Sequence, residues 1–137
     1  METRAGTGTV TRLVAKTILD QDKDDSVGHG SRITSKAKGL EFGIAKNVDI
    51  VMVRISLATN EIWPSTINAL EMVAEDIWEK GLAGKAFVNL SWHLPIGQSN
   101  AALAKFKEAL RGVIAADGIV VTSAGNTGTV IHRLPVY

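Results

Sequence analysis

The chain has 137 residues, 45% hydrophobic and 21% charged, a globular composition that excludes a disordered, collagenous or coiled-coil chain. Fifteen Lys and Arg oppose fourteen Asp and Glu for a formal charge of +1, with no basic run, so binding of nucleic acid by charge has no support. There is no cysteine, which removes disulfides, thiolate metal sites and a Cys nucleophile. The length fits one domain or a piece of one, and a chain of this size can bury roughly two thirds of its unfolded surface. Residues 1–10 are Gly- and Thr-rich and read as a disordered N-terminus; without an apolar core they are not a signal peptide. No apolar stretch reaches about 18 residues, so neither a membrane span nor a membrane partner is expected.

From Leu13 to Leu19 the pattern predicts a short strand, followed by a polar loop, Asp20-Gln21-Asp22-Lys23-Asp24-Asp25-Ser26, too charged for a strand interior. A short helix is predicted from His29 to about Lys38, ended by Gly39. Asp49 to Ile55 is a β-branched run of the kind buried on both faces of a sheet. Pro64 stands where a first helical turn tolerates it, and Ile67, Leu70, Val73, Ala74, Ile77 and Trp78 form one apolar stripe behind it, up to Gly81. Ala86 to Leu90 is a third strand. Ser99 or Asn100 can cap a second long helix whose stripe is Leu103, Phe106, Leu110, Val113 and Ile114. Ile119 to Ser123 is a last buried-type strand, closed by the small-residue loop Ala124-Gly125-Asn126-Thr127-Gly128. Strands alternating with helices imply an α/β fold: a parallel sheet, right-handed crossovers and helices on both faces. In such a sheet a site belongs at the carboxyl ends of the strands, which here means the loops after Leu19, Ile55, Leu90 and Ser123.

Three short motifs fall near those loops. Gly28-His29-Gly30-Ser31 places an imidazole between glycines at a helix start, either a general base or an ordinary surface histidine. Ser123-Ala124-Gly125-Asn126 ends a strand in a small amide side chain, either an oxyanion donor or a turn residue tolerant of positive φ. Asn89-Leu90-Ser91-Trp92-His93-Leu94 leaves the sheet in extended form and can pair with an extended peptide, or is a plain strand-to-loop transition. The acidic loop begins like a calcium loop, but Asp25 and Ser31 occupy the Gly and Glu positions of that pattern, so a solvated loop is the better reading and no metal is expected. His132 has no evident partner residue. No phosphate-binding glycine motif is present, and no cofactor is expected.

Taken in order, the motifs say more than each alone. Asp24-Asp25-Ser26-Val27-Gly28-His29-Gly30-Ser31 resembles the D-x-x-G-H-G-T segment around the catalytic His of subtilisin-like serine peptidases. Gly43 to Ile55 resembles the G-V-A-K-x-A-x-L-x-x-V-K-V strand of that family. Lys85 to Ser91 resembles K-A-V-I-N-M-S, its substrate-binding strand, and Ala115 to Asn126 resembles A-A-G-I-V-V-V-x-A-A-G-N. The flavour is that of the fungal, proteinase K-like branch of peptidase S8, over roughly residues 20 to 128. The resemblance implies a subtilisin-like endopeptidase domain over 11–137, incomplete, acting on a polypeptide substrate. His29 would be the general base, Asn126 the oxyanion donor, and Ser91, Trp92 and His93 the lining of the peptide cleft.

The departures are as specific. The 137 residues hold no G-T-S-M-A motif, where the family carries its nucleophilic Ser. No D-S-G or D-T-G follows an early strand; the triad Asp reads as missing, with Asp20 only a poor substitute. His93 stands where the family has a Gly that admits substrate closely. The chain taken alone is therefore expected to be inactive; the alternative is a non-catalytic module that binds a peptide or protein. Its buried-type strands are expected to leave an open sheet edge through which it self-associates. Relatives of this kind are often secreted, but the compartment is not set by this sequence.

Overall fold

The computed structural model describes residues 8–16, 25–58, 60–92 and 99–126. They form an α/β chain of seven elements: β1 (Val10–Val14), α1 (His29–Lys38), β2 (Ile50–Arg54), α2 (Ile62–Glu79), β3 (Phe87–Leu90), α3 (Asn100–Ala115) and β4 (Ile119–Thr122). The chain divides into two compact units, Met1–Met72 and Val73–Tyr137, with the division inside α2.

The first unit is built on β1 and β2. They pair in parallel, Val10 opposite Ile50 and Val14 opposite Arg54, and Ala15 extends the ladder by donating its N–H to the Arg54 carbonyl at 3.0 Å. Two parallel strands cannot be joined by a tight turn, so the intervening chain must cross over, and it does so through α1. The first strand begins earlier than the apolar run from Leu13 predicts. Thr9 donates both its N–H and its hydroxyl to the Asp49 carboxylate, at 2.6 and 2.8 Å, which ties the chain in at the start of β2 and lets Val10 join the ladder. Residues 17–19 of the predicted strand lie outside the described residues.

The carboxyl ends of both strands are fastened to the first half of α2. Asn68 Oδ1 accepts the Lys16 N–H at 2.6 Å, and the Ser65 hydroxyl oxygen accepts the Ser56 N–H at 3.0 Å. Ala69 packs with Val14 and Ala15, with Val53 and Ile55 at the edge of that cluster. Ser65 and Thr66 are therefore buried polar residues inside a helix that the apolar pattern alone assigned to Ile67 and Leu70. At the other end of the predicted stripe, Trp78 is 80% exposed and does not belong to the buried face.

The second unit repeats the plan. β3 and β4 pair in parallel, Phe87 opposite Ile119 and Leu90 opposite Thr122, and α3 is the crossover. Of the two caps that the sequence offers, Ser99 and Asn100, it is Ser99 that caps α3: its side-chain oxygen accepts the Ala102 N–H at 3.3 Å. The buried positions of α3 are Ala109 and Val113, whereas Leu103 and Ile114 are exposed, so the inward face is narrower than the predicted stripe. Gly118, just before β4, is enclosed: a Cβ there would lie 2.9 Å from Ile77 Cδ1 and 3.0 Å from Val113 Cγ1.

The β-branched runs are of the kind that needs cover on both faces, and an incomplete sheet is expected to leave part of one face open; among the described residues one face of β3–β4 is open. Phe87, Asn89, Ile119 and Val121 share one face of the β3–β4 pair and all are exposed, Phe87 by 72%. β-Branched composition reports what a strand can bury, not that a neighbour is present.

Two outcomes follow. Gly118→Val should lower stability by about 1–3 kcal/mol through overpacking, read as a fall in Tm. The purified 137-residue chain should self-associate with rising concentration in sedimentation velocity, and Phe87→Lys should shift it toward monomer. A wild-type chain that stays monomeric and binds no apolar dye would contradict the second expectation.

Candidate active site

The residues singled out from the sequence sit on segments that leave the carboxyl ends of strands. In the first unit the chain from β1 leads through Asp25 to α1, whose first residue is His29, as predicted. In the second unit Ser91 and Trp92 follow β3, and Ser123 to Asn126 follow β4. Because β3 and β4 run parallel with Leu90 opposite Thr122, these two loops emerge at the same end of the same sheet, and the Ser123 N–H reaches the Leu90 carbonyl at 3.4 Å. Ser91, Trp92 and Asn126 are thus brought to one sheet end, while His29 belongs to the other unit.

His29 is exposed, and α1 has no buried residue at all. The helix is entered through Gly28, which takes the left-handed conformation at φ +75° and has no side chain with which to cap the helix. That role falls to Asp25. Its Oδ1 accepts the Gly28 N–H at 2.8 Å and its Oδ2 accepts the Ser31 N–H at 2.6 Å, while its backbone carbonyl accepts the Gly28 N–H at 3.0 Å. The carboxylate therefore satisfies N–H groups that a helix start leaves open, and its charge complements the positive end of the helix dipole. The Ser31 N–H holds the Asp25 carboxyl below the ordinary carboxylate range, aided by the Ser31 hydroxyl, the Gly28 N–H and the Arg32 charge; partial burial opposes them.

The sequence reading groups Asp25 with the solvated acidic loop and quotes it in the segment around His29, without giving it the capping role that the structure shows. The available signal was local: an acidic residue three positions before a Gly that begins a helix and cannot cap it. Asp20, Asp22 and Asp24 of that loop lie outside the described residues, as do His93 and His132.

In the second unit Asn89 Nδ2 donates to the Ser91 hydroxyl oxygen at 2.8 Å, which turns the strand end and occupies that serine. Ser91 and Trp92 are half-buried. Gly125, at φ +82°, turns the chain so that Asn126 stands exposed beyond the end of β4. An exposed imidazole at a helix start can exchange a proton, and an exposed primary amide at a strand end can donate to a developing oxyanion.

Comparison with known proteins gives a consistent picture. The profile of the subtilase family, peptidase S8, matches residues 4–135. The chain is 36% identical over 105 residues to subtilisin-like protease 10 of Arthroderma otae, covering 76% of this chain and 25% of that protein. It is 32% identical over 108 residues to subtilisin-like protease 3 of Pseudogymnoascus destructans, covering 78% and 24%. It is 28% identical over 109 residues to alkaline protease 1 of Aspergillus flavus, covering 80% and 26%. The chain thus spans about a quarter of the length of these curated relatives. No solved structure matches it significantly.

The state of Asp25 sets a pH dependence. Its carboxyl is more acidic folded than unfolded, so its contribution to stability is present above the ordinary carboxylate range and is lost as pH falls through and below about 4. Between about pH 5 and about pH 3, Asp25→Asn should therefore lose less Tm than the wild type, a difference that paired thermal melts would read. Parallel acid limbs would contradict it.

Proposed function

The chain belongs to the subtilase family, and we propose that it supplies the general-base and oxyanion parts of a subtilisin-like endopeptidase site, acting on a polypeptide substrate. His29 is the general base, taking the proton from a serine nucleophile and returning it to the leaving amine. Asn126 donates its side-chain amide to the oxyanion of the tetrahedral intermediate. Ser91 and Trp92 line the peptide cleft, as the sequence resemblance implies for His93 too, which lies outside the described residues. The observation that carries this reading is the placement of the motif residues: His29 opens a helix on the crossover after β1, and Asn126 follows β4 at the same sheet end as Ser91 and Trp92.

The same reading makes the 137-residue chain inactive by itself. Acyl transfer needs a nucleophile, and the chain holds no G-T-S-M-A motif. The serines nearest the motif residues are poorly suited to replace it. The Ser31 hydroxyl is hydrogen-bonded to the Asp25 carboxylate, and the Ser91 hydroxyl oxygen accepts a hydrogen bond from Asn89. The carboxylate that would orient the His29 tautomer is unassigned; Asp20 is the one candidate from the sequence.

A second reading, a peptide-binding module without hydrolysis, is favoured by one observation. Among the described strands β3 pairs only with β4, and an edge left unpaired in this way is the kind that an extended peptide can join.

Two experiments separate these readings. A fluorophosphonate probe should leave the purified chain unlabelled; labelling of Ser31 or Ser91 would overturn the assignment. Mixed with the nucleophile-bearing C-terminal segment of the A. otae relative, the chain should permit labelling of the added serine. His29→Ala should cut that labelling by about 10²–10⁴-fold, the usual weight of a general base. Asn126→Leu should cut it by about 10²–10³-fold, a figure that itself comes from a subtilisin. Peptide binding without any labelling, and without dependence on His29, would favour the binding module.

A further inference from the structure

We propose that Asn89 is an acceptor for N-linked glycosylation, and that the glycan it takes covers the open face of the β3–β4 pair. The inference stands apart from the catalytic reading, since it needs neither His29 nor Asn126.

The chain has six asparagines, and one of them opens an N-x-S/T sequence: Asn89-Leu90-Ser91, with no Pro at the middle position. The tripeptide alone is a weak signal; it carries weight where the amide stands at the surface. Asn89 is exposed, and Leu90 after it is the last residue of β3. In an extended chain residues 89 and 91 lie on the same side. There the Asn89 Nδ2 donates to the Ser91 hydroxyl oxygen at 2.8 Å. The nitrogen that would receive the sugar and the hydroxyl that the sequence requires are therefore already in contact.

The co-reactant is a lipid-pyrophosphate-linked oligosaccharide, and the chain is an acceptor wherever it meets that donor and its transferase. A bond forms from Asn89 Nδ2 to C1 of the first sugar. The bond from C1 to the pyrophosphate oxygen breaks, its electron pair leaving with the lipid pyrophosphate, and Nδ2 gives up one proton to the transferase. Nothing is oxidised or reduced. A primary amide has two N–H donors, so one remains after transfer and can still serve Ser91. The setting of Asn89 gives the glycan its effect. In the ladder Asn89 stands opposite Val121, and Phe87 opposite Ile119, all four on one exposed face. Phe87 is 72% exposed, Val121 48% and Ile119 44%. Asn89 is the polar member of that group, and a bulky, hydrophilic glycan rooted there shields the three apolar side chains from other chains.

The test fuses the 137-residue chain to a cleavable secretion leader, for translation with microsomes and for expression in a yeast secretory host. The wild type should show a single mobility shift that peptide-N-glycosidase removes, converting Asn89 to an aspartate that mass spectrometry reads. Asn89→Gln and Ser91→Ala should lose the shift entirely, and Ser91→Thr should keep it. Microsomes act on the nascent chain, so this readout holds even for a variant that folds poorly. The secreted, glycosylated chain is then compared with the same chain made without glycan in bacteria. It should associate less in sedimentation velocity and bind less apolar dye. A wild type that takes no glycan, or a shift that persists in Asn89→Gln or Ser91→Ala, would overturn the acceptor assignment. Equal association and equal dye binding by the two forms would overturn the cover. Neither readout involves hydrolysis or probe labelling, so these failures are distinct from a failure of the catalytic reading.

Discussion

Parallel pairing is the constraint on which the rest depends. Val10–Val14 against Ile50–Arg54, and Phe87–Leu90 against Ile119–Thr122, are both parallel ladders, and a parallel ladder obliges the chain to return by a crossover. The crossovers are α1 and α3, so each unit is a β-α-β arrangement. The carboxyl ends of such strands are where the chain departs into a loop before each helix. His29 opens the helix reached after β1, and Ser91, Trp92 and Asn126 lie just beyond the carboxyl ends of β3 and β4. The candidate residues therefore occupy their places because of strand direction, before any side-chain chemistry is considered.

Local signals were readable in the sequence, and relational ones were not. The start of α1 at His29 and the Ser99 cap of α3 were readable because a helix terminus is decided by a few adjacent residues. The strand cores were readable from β-branched runs. What covers those strands was not, because a side chain does not report its neighbours: Phe87, Ile119 and Val121 have the composition of a buried strand and stand exposed. The apolar stripe of α2 holds from Ile67 to Ile77, but it leaves out Ser65 before it and wrongly includes Trp78 at its end. Ser65 is buried because its oxygen meets the Ser56 N–H, and Trp78 is exposed, and neither fact can be read from spacing alone.

The candidate site divides in the same way. His29 and Asn126 were readable as residue types at strand and helix ends. The role of Asp25 was not, since its partners are backbone groups and every residue carries those. Composition placed it in a solvated run of four aspartates; geometry makes it the group that completes a helix whose own first residues offer no cap. Family membership sets the chemistry proposed for His29 and Asn126, and the local geometry accounts for the start of the helix that bears the histidine.

The two ladders also bear on how the chain reaches its structure. Val10 meets Ile50 across 40 positions, and Phe87 meets Ile119 across 32. Loop-closure entropy grows only with the logarithm of that separation, so the two differ by about 0.2 kcal/mol. Connectivity gives neither ladder a kinetic lead. What differs is the crossover: α3 has 16 residues and a serine cap, whereas α1 has 10, buries nothing and leans on one carboxylate. Helix nucleation is the costly step and longer helices repay it better, so local helix formation favours the crossover of the β3–α3–β4 unit over the short helix that bears the histidine.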